Sequence, residues 1–108
     1  MILVNTETVP GKKIVETVGY VKGSTIQARH IGQDVLASFR NIVGGEVKEY
    51  TDLMNEARKK AVGRMVKEAN ARGANAIVNI RFMTAQIAQG AAEILVYGTA
   101  VIVKNEHA

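Results

Sequence analysis

Chemistry needs reactive side chains at workable spacings, and this chain offers few. There is no cysteine, and the only imidazoles are His30 and His107. Metal centres need ligands that converge on one point, and neither HxxH nor HExxH occurs. His30 and Asp34 lie one helical turn apart, a spacing that an exposed loop histidine and a nearby acid share without any metal. The metal, if there is one, is left unknown, and no cofactor is identified. Ser24 and Ser38 lack the GxSxG elbow of a nucleophilic serine. Gly11-Lys12-Lys13 lacks the upstream glycine and the Ser/Thr of a phosphate-binding P-loop. Gly44-Gly45 precedes a helical pattern and could offer free N–H groups to an anion, but Glu46 already places a carboxylate in that field. Glu46 and Glu93 could act as an acid/base pair only if the fold brings them together. Read singly, one is an acid at a helix start and the other a charge at a strand start. No catalytic residue is assigned.

The polar residues of a C-terminal hairpin are more suggestive. Asn79 and Arg81 share one face of a regular strand; Glu93, Tyr97 and Thr99 share one face of the next. A three-residue turn puts the two sets on the same side, with Arg81 near Thr99 and within reach of Tyr97. A two-residue turn puts them on opposite sides. On one side, at a subunit junction, they could line a small binding site. The alternative is hydrogen bonding and ion pairing within the interface.

These residues need elements to position them. Ile2 to Val4 is short and β-prone. Pro10-Gly11 reads as a turn. Lys12 to Arg29 is β-rich and reads as one long bent strand or two short ones. Its interruptions at Gly19 and Gly23 suggest bulges, bends or a close backbone neighbour. Val35, Leu36, Phe39, Ile42 and Val43 recur with helical period, predicting a helix over Asp34 to Val43 that ends at Gly44-Gly45. A second helix is predicted from about Val47 to Arg72, with Tyr50, Leu53, Met54, Ala57, Ala61, Met65 and Ala69 as its apolar stripe. Its acids gather early and its bases late, which complements the helix dipole. Glu56 with Lys60, and Glu68 with Arg72, have the favourable i,i+4 order. Gly63 interrupts its polar side, either as a tolerated defect or as a point where another backbone comes close. After Gly73 come strands over Asn75 to Ile87 and Glu93 to Lys104, joined at Gln89-Gly90-Ala91. Asn105 to Ala108 reads as a frayed tail.

The last strand argues for assembly. Ile94, Val96, Ala100 and Ile102 lie on one side, and Leu95, Tyr97, Val101 and Val103 on the other, so both faces need cover. Two helices cover one face of a small sheet, and a second copy of the chain is the expected cover for the other. The 108 residues fit a single domain spanning 1–108, with 47% apolar residues. The net charge of +4 is mild and mixed, which permits a nucleic-acid partner without demanding one. Arg58, Lys59, Lys60 and Arg64 could form a basic face, but Lys60 and Lys67 share their side with Glu49 and Glu56, as on a solvated surface. No apolar run approaches the roughly 20 residues needed to cross a bilayer, and Met1-Ile2-Leu3-Val4-Asn5 lacks the features of a signal peptide. A cytoplasmic protein with no membrane partner is expected.

Pro10-Gly11, Gly19, Gly23, Gly44-Gly45-Glu46, Tyr50, Glu56-Ala57-Arg58, Gly73-Ala74-Asn75-Ala76, Arg81 and Tyr97-Gly98-Thr99-Ala100 together resemble the YbjQ-like family, in order and over nearly the whole chain. That family carries a heavy-metal-binding label. The resemblance implies a small α+β fold of dodecin-like type, an antiparallel sheet packed by two helices, assembled as a homopentameric ring. The soft ligands in this sequence are confined to Met1, Met54, Met65 and Met83. The reading that joins both lines of argument is a homo-oligomeric binding or scaffold module. Its candidate ligand-binding residues at subunit junctions are Gly45, Glu46, Asn75, Asn79, Arg81, Glu93 and Tyr97. An enzyme with Glu46 or Glu93 as acid/base and Arg81 as anion clamp is the alternative. Weak nucleic-acid binding through the basic helix comes third.

Overall fold

A computed structural model describes residues 1–27, 48–88 and 91–107. They form β1 (Ile2–Leu3), β2 (Lys12–Gln27), α1 (Lys48–Ala71), β3 (Ala76–Ala88) and β4 (Ala91–Asn105). The helix expected over residues 34–43, its Gly44-Gly45-Glu46 junction, and Gln89-Gly90 of the hairpin turn lie outside the described residues.

The strands make one four-stranded sheet in the order β1-β3-β4-β2. β4 runs antiparallel to both long neighbours, whereas β1 pairs with β3 in parallel. The sheet is therefore mixed rather than purely antiparallel. Two residues of strand, Ile2 and Leu3, are enough to change its character, and no periodicity could announce so short a pairing.

Turn chemistry sets the local path. Lys12 N–H donates to the Val9 carbonyl at 3.1 Å across Pro10-Gly11, and Gly11 sits at φ +78°. That is a type II turn, with proline presetting the first central residue and glycine accepting the positive φ of the second. At the end of α1, Gly73 (φ +83°) donates to the Asn70 carbonyl and Ala74 to that of Ala69, both at 3.1 Å. The pair forms a Schellman cap, which satisfies orphan carbonyls of the last turn. Beyond β4 the tail is tied rather than frayed at its start. Glu106 N–H donates to the Gly11 carbonyl at 3.0 Å, and Lys12 Nζ to Asn105 Oδ1 at 2.8 Å.

The helix lies across β2 and β4. Ala57, Ala61, Met65 and Ala69 are fully buried along its stripe, against Val21, Ile94, Val96 and Ala100 of the sheet. Alanines let the helix sit low, and Gly23 lets it sit lower still. A Cβ on Gly23 would collide with the Ala61 carbonyl oxygen and stand 2.5 Å from the Met65 backbone nitrogen. Thr25, also buried, uses the proximity to donate its hydroxyl to the Ala57 carbonyl at 3.2 Å. Gly63 is exposed, with none of the described residues within 4 Å of the Cβ it lacks. A smaller core of Ala76, Val78, Val101 and Val103 lies on the other face, roofed by Ile2, Val4 and Val9 of the N-terminal strap.

Of the two i,i+4 pairs expected on α1, neither forms. Glu56 meets Lys59 instead, at 3.9 Å on the exposed surface, which contributes little. Arg72 reaches the sheet: its Nη1 donates to the Tyr20 carbonyl at 2.8 Å and its Nη2 to that of Val18 at 2.9 Å. Carbonyls on the open edge of β2 hold a guanidinium fork better than one flexible surface carboxylate does.

The two glycines make opposite predictions. Gly23→Ala should cost about 1–3 kcal/mol or more through overpacking against helix backbone. Gly63→Ala should gain about 1 kcal/mol, because it removes a helix-interior glycine with no new contact. Urea unfolding of each variant followed by far-UV circular dichroism checks both.

Candidate functional site

The candidate residues fall into three structural situations. Gly45 and Glu46 lie outside the described residues. Asn75 is engaged in the fold: its Nδ2 donates to the Val103 carbonyl at 3.0 Å, and its Oδ1 accepts from Val103 N–H at 2.8 Å. Its own backbone N–H donates to the Val101 carbonyl at 3.1 Å. The carboxamide thus serves as an extra peptide unit at the start of β3.

Asn79 occupies a bulge. The ladder passes from Val78 opposite Thr99 to Arg81 opposite Tyr97, so Asn79 and Ile80 share one partner position, that of Gly98. Asn79 adopts φ +55°, a left-handed conformation that asparagine tolerates better than most side chains. The strap fills the gap: Asn79 N–H donates to the Thr6 carbonyl at 3.0 Å and Ile80 N–H to that of Val4 at 3.2 Å. Gly98 is needed opposite the bulge, since a Cβ there would stand 2.7 Å from Ile77 Cγ2 and 3.0 Å from the Val78 oxygen. Asn79 and Arg81 were expected to share a face of a regular strand; the extra residue takes Asn79 out of that alternation.

Arg81, Glu93 and Tyr97 do come to one face. Arg81 lies directly opposite Tyr97, one position nearer the turn than Thr99, and Lys22 of β2 lies opposite Tyr97 on its other side. Arg81, Tyr97 and Lys22 therefore form one row across three strands. The next rows on this face are Met83, Leu95 and Ser24, then Ala85, Glu93 and Ile26. The hairpin ladder closes at Ala88 opposite Ala91, with a second shift after Gln86. Two intervening residues plus a bulge give the same side-chain parity as a three-residue turn.

Electrostatically the row is cationic, with two donor-only groups beside a phenol hydroxyl. Arg81 Nη1 donates to the carbonyls of Asn5 at 2.9 Å and of its own neighbour Ile80 at 3.0 Å, neutral acceptors that leave its charge uncompensated. Lys22 and the Tyr97 phenol have no hydrogen-bond or ionic partner among the described residues, and neither does Glu93 two rows away. Two cations flanking a phenol favour an oxyanion over a metal cation. Lys22 is the member that spacing alone does not find. It enters through the register of β2 on β4, which depends on two bulges in β2.

A heavy metal does not fit the described residues. No group of three or more His, Asp or Glu converges among them, His107 is on the exposed tail, and Met65 is buried in the core under the helix. The basic face of α1 is partly spent within the fold. Arg64 donates to the Ser24 carbonyl, Arg58 to Asn55 Oδ1, and Lys59 pairs with Glu56.

Comparison with known proteins gives a consistent result. A family model, YbjQ, described as "Putative heavy-metal-binding", matches residues 1–104. A UPF0145 protein of Methanosarcina acetivorans is 52% identical over 105 residues, covering 97% of this chain and 99% of its own. A UPF0145 protein of Dehalococcoides mccartyi is 56% identical over 104 residues, covering 96% and 100%. A crystal structure of a protein of unknown function from Pediococcus pentosaceus, of the DUF74 family, superposes with a TM-score of 0.62. It is 13% identical and covers 96% of this chain and 98% of its own. At that identity the likeness speaks for the fold alone.

Asn75→Ala should lower stability by about 1–3 kcal/mol by leaving the Val103 peptide unpaired. Thermal unfolding checks this: an unchanged melting temperature would return Asn75 to the set of residues free to hold a ligand.

Proposed function

The chain belongs to the YbjQ-like family, and on that membership and the geometry of its sheet we propose a self-associating binding or scaffold module whose junctions use the uncovered face. The observation that carries this is the exposed apolar surface opposite α1. Tyr20, Ile26 and Met83 are 56%, 59% and 53% exposed there, beside half-buried Leu95 and Tyr97.

Shape supports it. The Cα radius of gyration is 17.4 Å and the long dimension 58 Å, against about 13 Å for a compact domain of this length. The accessible surface is 7197 Å² for 11.7 kDa, about 1,300 Å² more than a compact monomer of that mass exposes. A standard interface buries about 800 Å² on each partner, so the excess is of the size that association removes. The assembly we favour is the closed homopentameric ring implied by the family resemblance, in the cytoplasm. Arg81, Tyr97, Glu93 and Asn79, with Gly45 and Glu46, would be the polar groups at its junctions.

The described donor set directs this reading away from a heavy metal and towards a polar or anionic group. An acid/base enzyme has no specific observation in its favour among the described residues, where Glu93 lies two rows from Arg81.

Native mass spectrometry at micromolar concentration tests the proposal. A discrete homo-oligomer, five subunits for the ring, is expected; a monomer at every concentration overturns it. Zinc or cadmium added in the same experiment should leave no stoichiometric adduct.

A further inference from the structure

The open face is not uniformly apolar, and its charges are arranged in an order that no other described residue uses. The Arg81–Tyr97–Lys22 row holds two cations and a phenol. Neighbouring strands are about 4.8 Å apart, so the two cationic backbones stand about 10 Å from each other on either side of Tyr97, and their long side chains can close over one small anion. Among the described residues of these three strands, the single carboxylate in the rows from Tyr20–Thr99–Val78 to Ile26–Glu93–Ala85 is Glu93. It lies four residues from Tyr97 along β4, about 13 Å in an extended strand, beyond the reach of its own row. Both sides are unsatisfied among the described residues: the row has no acid there, and Glu93 has no base. Between them lie Leu95 and exposed Met83, which association would bury.

We propose that the Arg81–Tyr97–Lys22 row is a carboxylate receptor and that its occupant is Glu93 of a second copy. This rests on the self-association proposed above and adds the contact that sets its register. The pairing is charge-complementary, and Met83 and Leu95 in the row between donor and acceptor shield it from water, so that charge-assisted bonds strengthen. Like charges brought together by any other register would oppose it, so the same residues specify as well as attract. The partner supplies the acceptor, so each receptor is incomplete in a single chain.

The absence of cysteine from the chain makes the test direct. Lys22→Cys and Glu93→Cys proteins, mixed and mildly oxidised, should form a mixed disulfide dimer in preference to either homodimer. Within one chain the two positions are too far apart to be bridged. Separately, Glu93→Lys should weaken association roughly tenfold or more while leaving the circular dichroism spectrum of the folded chain unchanged. A wild-type chain that is monomeric throughout refutes the self-association reading itself. A wild-type oligomer with no mixed disulfide, and no effect of Glu93→Lys, refutes the receptor while leaving self-association intact. If inorganic phosphate shifts the Tyr97 ring resonances in wild type but not in Lys22→Gln, and Glu93→Lys still assembles, the row serves a solute anion and the proposal is overturned.

Discussion

The close seat of α1 on β2 is the constraint from which the rest of the structure follows. Helix backbone at Ala61 and Met65 occupies the space above Gly23 where any side chain would stand. That contact fixes the height of the helix, and small residues at Ala57, Ala61 and Ala69 keep it low along its length. A helix held this low aligns its last turns with the edge of β2, so Arg72 and Arg64 can reach the carbonyls of Val18, Tyr20 and Ser24. Those carbonyls lie on a sheet edge and would otherwise invite another strand. Packing at one glycine and protection of the edge from Val18 to Ser24, about 20 Å of extended strand, are thus linked through one rigid rod.

The opposite face is divided. Near Val101 and Val103 the N-terminal strap roofs it with Ile2, Val4 and Val9. Further along, past the Asn79 bulge, the strap ends and no other described element covers the face, where Tyr20, Ile26 and Met83 are exposed. Arg81 stands at that border, with Nη1 bonded to the Asn5 carbonyl of the strap and its backbone opposite Tyr97 of the open row. A half roofed by the strap and a half with exposed apolar side chains therefore meet at a single residue, which is why Arg81 reads equally well as a fold residue and a site residue.

Much of this was legible in the residues. Alternating apolar positions marked β4 as two-faced, the alanine stripe marked the buried side of α1, and glycines inside a β pattern marked both a bulge and a close approach. Pro10-Gly11 and Gly73 announced their turns through φ alone. What was not legible depends on distance in space. The parallel pairing of Ile2 and Leu3 rests on a strap whose residues carry no period. The destination of Arg72 is a pair of carbonyls, and carbonyls have no sequence signature. The side on which Arg81 and Tyr97 meet depends on bulges that change parity one residue at a time, and Asn79, the residue that adopts the unusual φ, looks like any polar strand position. Lys22 joined the candidate row only once register was known.

The bulges have a geometric consequence for the whole sheet. Relative to β4, β2 takes in an extra residue at two places, and β3 does so at two places as well. Each outer strand is thus two residues longer than the stretch of β4 it accompanies. Outer lanes longer than the centre lane cannot lie flat. They must wind about it, as bulges do when they add twist. Two added residues also return each strand to its original parity, so the winding is gained without turning any face inside out. β4 becomes the axle of a coiled ribbon, and a partner that fits one stretch of that ribbon must follow its pitch. A flat strand or a generic sheet would lose contact within a few residues, whereas another copy carries the same pitch by construction.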